Sequence, residues 1–373
     1  MRATIILEGM SLPLSKYING GGTTQGGDAY LDDGSKTGRR RKHPWRQKKI
    51  ASLRLSEIYE RLGREYEGKR ARVSVCADYL DFKRGADGVL HLHRAGFCHV
   101  RLCPMCSMRR SRKVFGQVSR IMDHMDSHGE YKYIFLTLTV RNMPGEGLNK
   151  AFDMIFDGLH EFCRNKRVFG KAVAGWFRAL EVTHNWETNE YHPHVHMILA
   201  VRPGYLTRKE NYVCQKCWRR LWAKSIGVAY DPWVDVRIVR QNARKGDEVY
   251  IKKSSAVAEV AKYTVKETDF LKVWQKDENG HKVYLAPRTA QEREAVAGRI
   301  AEAVCFLDGA LARRRLVAFG GEMGDAHRQL SLDDPIDGDL KDTHGDVRGD
   351  VAGVIERYRW CAGVGNYVLV RGK

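Results

Sequence analysis

No stretch of the 373 residues approaches the roughly 18 uninterrupted apolar residues that a membrane-spanning helix needs. The apolar run within Met1–Gly20 is interrupted by Glu8 and makes a poor signal peptide, so a cytoplasmic protein with no membrane partner is expected. No G-x-x-x-x-G-K-[ST] occurs, which leaves the chain without an obvious nucleotide-driven motor. No internal repeat is visible. Acidic residues are also in short supply: 45 Asp and Glu face 64 Lys and Arg, a formal net charge of +19. Such an excess points to a polyanionic partner, of which nucleic acid is the commonest. Hydrophobic residues at 43% and charged residues at 29% fit a globular chain. In a reducing compartment the nine cysteines are poor candidates for disulfides, and clustered ones read as metal ligands.

Periodicity organises the chain. Residues 1–44 include a Gly-, Thr- and Asp-rich stretch ending in the basic run Arg39–Lys42, and read as a flexible basic tail. Residues 45–115 combine a helix, spaced by Ile50, Leu53, Leu55, Ile58 and Leu62, with a cysteine-rich module. A basic helix is expected over Arg109–Met125. Residues 116–332 alternate strands (131–140, 175–183, 192–201, 234–239) with helices (148–162, 212–224, 256–271, 291–312). The Asp-rich stretch from Asp333 to Asp350 reads as disordered and is followed by a strand at Tyr367–Val370. The pattern by itself gives an α+β protein.

Three clusters carry chemistry. In Tyr191-His-Pro-His-Val-His196, residues two apart on a strand share a face, so His194 and His196 present paired imidazoles. A hairpin register with Glu181 opposite His196, Thr183 opposite His194 and the turn at Thr188 and Asn189 adds a carboxylate. Mg²⁺ or Mn²⁺ accepts such a set when a phosphate completes the shell. The plain alternative is a pair of surface histidines on an edge strand. His192 shares the parity and reads either as a support behind a ligand or as a spare ligand.

Second, a helix over 256–271, capped by Ser254 or Ser255, would place Tyr263 about 40° and Lys266 about −20° from Glu259. A phenol with a pKa of about 10 attacks phosphorus only with help. Lys266 supplies a cation and Glu259 a general base. An ordinary amphipathic helix with an ion pair has the same pattern.

Third, Cys98, Cys103 and Cys106 in Phe97-Cys-His-Val-Arg-Leu-Cys-Pro-Met-Cys106, with Cys76 upstream, can close a structural Zn²⁺ site. His91, His93 or His99 can replace a thiolate, Cys76 being the least secure. The following Arg109, Arg110, Arg112 and Lys113 suit DNA phosphates. Cys214 and Cys217 have no second pair and read as packing, with an adventitious metal as the alternative.

Three ordered blocks resemble the replication initiators of rolling-circle plasmids, in the single-tyrosine branch of the HUH endonuclease superfamily. They are Phe135–Asn142, His192–Leu199 preceded by Ala179–Thr183, and Glu259–Lys266. Phe97–Arg110, Trp45–Lys48 and Arg314–Gly321 resemble the same branch. The likeness spans roughly residues 36 to 332. It implies a central antiparallel sheet with helices on one face, an N-terminal zinc module and a nicking and joining domain over 116–332. It implies metal ligands His194, His196 and Glu181. Tyr263 would form a 5′-phosphotyrosine at the plasmid origin, Glu259 would serve the terminating cleavage and Lys266 would orient the phosphate. Host helicase and polymerase are implied partners. The competing readings are a related transposase or relaxase and a zinc-containing DNA-binding regulator with no chemistry.

Overall fold

The computed structural model describes residues 30–31, 44–85, 90–244, 246–262, 264–341, 343 and 355–370. The run Arg39–Lys42 and Tyr263 lie outside them. Helix α1 (Trp45–Leu62) buries Leu55, Ile58 and Tyr59 and stops at Gly63, whose φ of 90° suits a residue without Cβ. Helix α2 (Glu67–Ser74) leads into the hairpin β1 (Tyr79–Arg84) and β2 (Leu90–Ala95). Then comes the long α3 (Pro104–His128), with Pro104 in its first turn where the missing N–H costs nothing.

The central sheet follows: β3 (Lys132–Thr139), helix α4 (Leu148–Cys163), β4 (Val173–Asn185), β5 (Glu190–Val201), helix α5 (Gln215–Ser225), β6 (Val234–Arg240) and β7 (Tyr250–Lys252). Helices α6 (Lys253–Val260) and α7 (Glu267–Phe270) precede a small hairpin, β8 (Trp274–Lys276) and β9 (Lys282–Tyr284). Helix α8 (Ala290–Leu311), β10 (Val317–Gly320), α9 (Gly321–Gln329), β11 (Ile355–Cys361) and β12 (Asn366–Val370) complete the described elements.

The central sheet has the order β10-β4-β5-β3-β6-β7. It is mixed: β6 and β7 run parallel, the other pairs antiparallel. Helices cover both faces, where one covered face was expected. Leu136, Leu138, Met197 and Leu199 pack towards α4, α5 and α8. Phe135, Ala179, Ile198 and Ala200 pack towards α3, α6 and α9. Met197, Ile198, Leu199 and Ala200 are consecutive and fully buried, as a strand with two covered faces requires.

Two further expectations give way. The helix over 256–271 is broken between Val260 and Glu267. Val260 and Ala261 belong to the core on one face of the sheet, Val265, Phe270 and Leu271 to the core on the other. The chain therefore rounds the edge of β4, where Thr264 O accepts from Val182 N at 2.7 Å, and the described residues of that crossing are not helical. The acidic stretch is ordered over 333–341. Its remainder to Asp350 lies outside the described residues, Thr343 apart.

The ends of the described chain meet. The hairpin β11–β12 extends β1 in a second sheet of order β12-β11-β1-β2. Tyr30 bridges to Val368 and Leu31 N donates to Tyr367 O, so these two residues of the expected tail are paired. Tyr367 is buried and donates its hydroxyl to Ala77 O at 2.8 Å.

Candidate metal centres

The hairpin β4–β5 brings Glu181, His194 and His196 together, but in a register two residues from the one expected. Glu181 faces His194, Ala179 faces His196 and Thr183 faces His192. The turn has four residues, Trp186 to Asn189, because Trp186 is buried against His184 and Asn185 Oδ1 accepts from Glu187 N. Asn189 closes it at φ 54°. A two-residue slip preserves parity, so all three side chains keep one face. Nε2 of His196 lies 3.1 Å and Nε2 of His194 3.4 Å from the same Glu181 oxygen, Oε2. The ligand atoms of the three residues all lie within 4.8 Å of one another.

The other ring nitrogens are fixed from behind. His196 Nδ1 is 3.1 Å from Thr137 Oγ1 and His194 Nδ1 is 3.1 Å from His192 O. A backbone carbonyl only accepts, so His194 Nδ1 donates to it, and Nε2 is the nitrogen turned towards Glu181. Burial pushes His196 down, favouring neutral imidazole, the form that ligates metal. Burial pushes Glu181 up, but hydrogen bonds from both histidines and the Lys266 ammonium outweigh it and hold the carboxyl far below its usual range. One permanent carboxylate and two converging imidazoles are a donor set that a divalent cation accepts.

Helix α6 and the crossing add charge to this cluster. Glu259 Oε1 lies 3.9 Å from His196 Nε2 and is paired with Lys262. Lys266 reaches Glu181 Oε1 at 3.2 Å, not the Glu259 stripe that an unbroken helix would have made. Tyr263 lies outside the described residues, between these two lysines in sequence. Lys253, at the start of α6, holds Asp123 and Asp126 of α3 at 3.0 and 2.8 Å, which ties α6 to the long helix beneath it. Two groups escaped the sequence reading. Thr137, the brace of His196, sits in a strand whose alternation already put it on the side of Phe135. Asp235 pairs with Thr137, which pairs with His196, so it shares their row and face.

The second centre is closed. Sulfurs of Cys76 and Cys106, Cys98 and Cys106, and Cys103 and Cys76 each stand 3.6 Å apart. Four sulfurs around a tetrahedral ion at about 2.3 Å stand roughly 3.8 Å from one another, so the group fits such an ion. Cys76 is the fourth member, and none of the three nearby histidines belongs to it. Cys76, Cys103 and Cys106 are buried and Cys98 is half-buried. Cys103 caps α3, so the cluster fixes the start of the helix that later supports α6.

The basic run after this cluster is not a free phosphate surface. Arg109 and Lys113 are fully buried and Arg110 is 6% exposed. Arg109 donates to Leu340 O at 2.8 Å and Lys341 O at 2.7 Å, and Arg110 to Ile336 O at 3.0 Å. Lys113 binds the Asp333 carboxylate and Asp339 O. Residues 333–341 thus clasp the helix, and a buried cation needs such a partner. Arg112, on the same helix, is half-buried. The exposed Cys217 and half-buried Cys214 place their sulfurs 2.7 Å apart, away from both centres and from the packing role expected.

The α+β chain thus carries two groups that could hold a metal ion, a closed set of four thiols and a carboxylate–imidazole triad. Residues 89–368 match the family model described as Replication protein (Rep_1), and the chain belongs to that family. It is 36% identical over 355 residues to the Protein rep of Bacillus amyloliquefaciens, covering 91% of this chain and 97% of the relative. It is 34% identical over 323 residues to the Protein rep of Streptococcus pneumoniae serotype 2 (strain D39 / NCTC 7466), 86% of this chain and 89% of the relative. A Replication protein of Staphylococcus aureus is 34% identical over 232 residues, 61% and 87% of the two chains. No solved structure matches. Among the described residues no helix is long and apolar enough to cross a membrane.

Proposed function

We propose that this chain initiates rolling-circle replication of a plasmid by nicking one strand at the origin, and that its central domain is an HUH endonuclease. The observation that carries this reading is the convergence of Glu181, His194 and His196 on one point, with Glu259 and Lys266 at its edge, in a chain of a replication-protein family. Mg²⁺ or Mn²⁺ held by the three would polarise the scissile phosphate. Zn²⁺ is the ion proposed for the four thiols, where a closed shell leaves no position for substrate.

The chain's own residues do the rest. The Tyr263 oxygen attacks phosphorus, the 3′-oxygen leaves to prime synthesis, and the 5′-phosphate stays on the tyrosine. In support, the lysines that flank Tyr263 in sequence both serve this cluster: Lys262 binds Glu259 and Lys266 binds Glu181. Their cations favour phenolate and attract phosphate. Lys266 also holds Glu181 in place as it orients the phosphate. Glu259 accepts the proton of water or of a second attacking hydroxyl in the terminating cleavage. Origin DNA, host helicase and host polymerase are the partners this chemistry needs.

Incubation with a single-stranded origin oligonucleotide and Mn²⁺ should give a protein–DNA adduct that survives denaturant and is lost in Tyr263→Phe. A parent protein that forms no adduct on any origin strand is instead the zinc-containing regulator without chemistry. Glu259→Ala should still nick but accumulate covalent product; normal release of closed circles by that variant would remove Glu259 from the scheme.

A further inference from the structure

Row by row, the central sheet carries more than the triad on its metal-bearing face. Thr139 of β3 pairs with His194 of β5. On its other side Thr139 N and Oγ1 both donate to Trp233 O, at 3.3 and 2.8 Å. His194, Thr139 and Trp233 therefore form one cross-strand row, and the outer two Cα atoms stand about 10 Å apart, two strand spacings. Val234 is fully buried in the opposite core, so alternation turns Trp233 to the face of the histidines. Its side chain is 56% exposed there. A single exposed apolar residue is ordinary. A tryptophan whose backbone is pinned twice, on the row of a candidate metal ligand, is not accounted for by folding.

A second planar group stands beside it. The Arg141 guanidinium lies 4.1 Å from the centre of the Tyr230 ring, and the Arg141 backbone N–H donates to Tyr230 Oη at 3.3 Å. Next in sequence, Asn142 Oδ1 is 2.8 Å from His192 Nδ1, and the His192 ring stacks on His194 at 5.2 Å. Planar side chains and an exposed cation therefore lead away from His194 along one edge of the cluster.

We propose that Trp233 and the Arg141–Tyr230 pair form a base-stacking platform for the single-stranded DNA next to the scissile phosphate. The proposal rests on the nuclease reading and deepens it. Every base has a face that stacks on indole, and a guanidinium over an aromatic ring adds cation–π attraction and a phosphate contact. The platform would hold bases unpaired while the phosphate between them reaches the triad.

The test separates base stacking from phosphate attraction and from cleavage. Binding of an oligothymidylate and of the same strand with abasic sites is measured by fluorescence anisotropy in EDTA, with parent protein, Trp233→Ala and Trp233→Phe. The parent should prefer the base-bearing strand roughly tenfold or more. Trp233→Ala should lose most of that preference, Trp233→Phe should keep much of it, and thermal unfolding should be unchanged in both. An equal preference in Trp233→Ala and parent, or no preference in the parent, overturns the platform. Neither result touches the adduct assay, which alone decides the nuclease reading.

Discussion

The two candidate centres sit at either end of the same supporting path, yet they are built in opposite ways. The thiols come from the turn after α2, the loop before α3 and the start of α3, offer four ligands of one kind, and are braced by buried groups such as Ser52, whose hydroxyl is 3.4 Å from Cys103 Sγ. The triad comes from two long strands, offers three ligands of two kinds, and has two ion-paired lysines, Lys262 and Lys266, at its edge. A closed four-sulfur shell can only hold structure together. A three-ligand shell with cations at its rim leaves room for a phosphate. On the proposed function, the same chain separates a metal that would fold it from a metal that would act on substrate.

That contrast breaks most readily at the thiols. Cys106→Ser should lose the bound zinc and unfold the N-terminal module, because site formation in small zinc modules is worth on the order of 10 kcal/mol. Elemental analysis and thermal unfolding read both effects, and retention of one zinc with an unshifted melting temperature contradicts the structural role. Next in size is the clasp. Asp333→Ala leaves the buried Lys113 without its carboxylate and should destabilise by about 3 kcal/mol. Denaturant titration measures it, and a loss below about 0.5 kcal/mol would mean Lys113 is solvated.

Glu181→Ala should do the reverse of Cys106→Ser. Nicking should fall by more than about 100-fold while zinc content stays, since removing a ligand outdoes the 10–100-fold cost of removing its support. A parallel loss of zinc and fold would merge the two centres into one. The smallest effect is at that support: Thr137→Val removes the oxygen behind His196 Nδ1 and should weaken Mn²⁺ binding about tenfold. Calorimetry at fixed zinc content checks it, and unchanged affinity would reduce Thr137 to packing.

Much of the site was legible because it depends on parity. His194 and His196 share a face whatever the hairpin register, so a register wrong by two residues still brought Glu181 to them. Cys103 and Cys106 were legible through the Cys-Pro-x-Cys turn, whereas Cys76, far upstream, was the least secure of the four until the fold brought it to them. The crossing at Ala261–Lys266 was not, because the helical pattern of Glu259 to Phe270 is real as a sequence but its apolar residues serve opposite faces of the sheet. Arg109, Arg110 and Lys113 looked like phosphate ligands because their partners lie more than 200 residues away, in a stretch whose acidity suggested disorder. Strand β11, Ile355–Cys361, was hidden by its charged outward residues, although Tyr358 is buried.

The central claim is that a cation held by Glu181, His194 and His196 and the phenol of Tyr263 address the same phosphorus atom. Mass spectrometry of the nicked product made with Mn²⁺ tests it most directly. The account predicts a 5′-phosphonucleotide on the peptide that contains Tyr263, absent in EDTA and absent from His196→Ala. An adduct on any other residue, or one that forms equally well without a divalent cation, would contradict it.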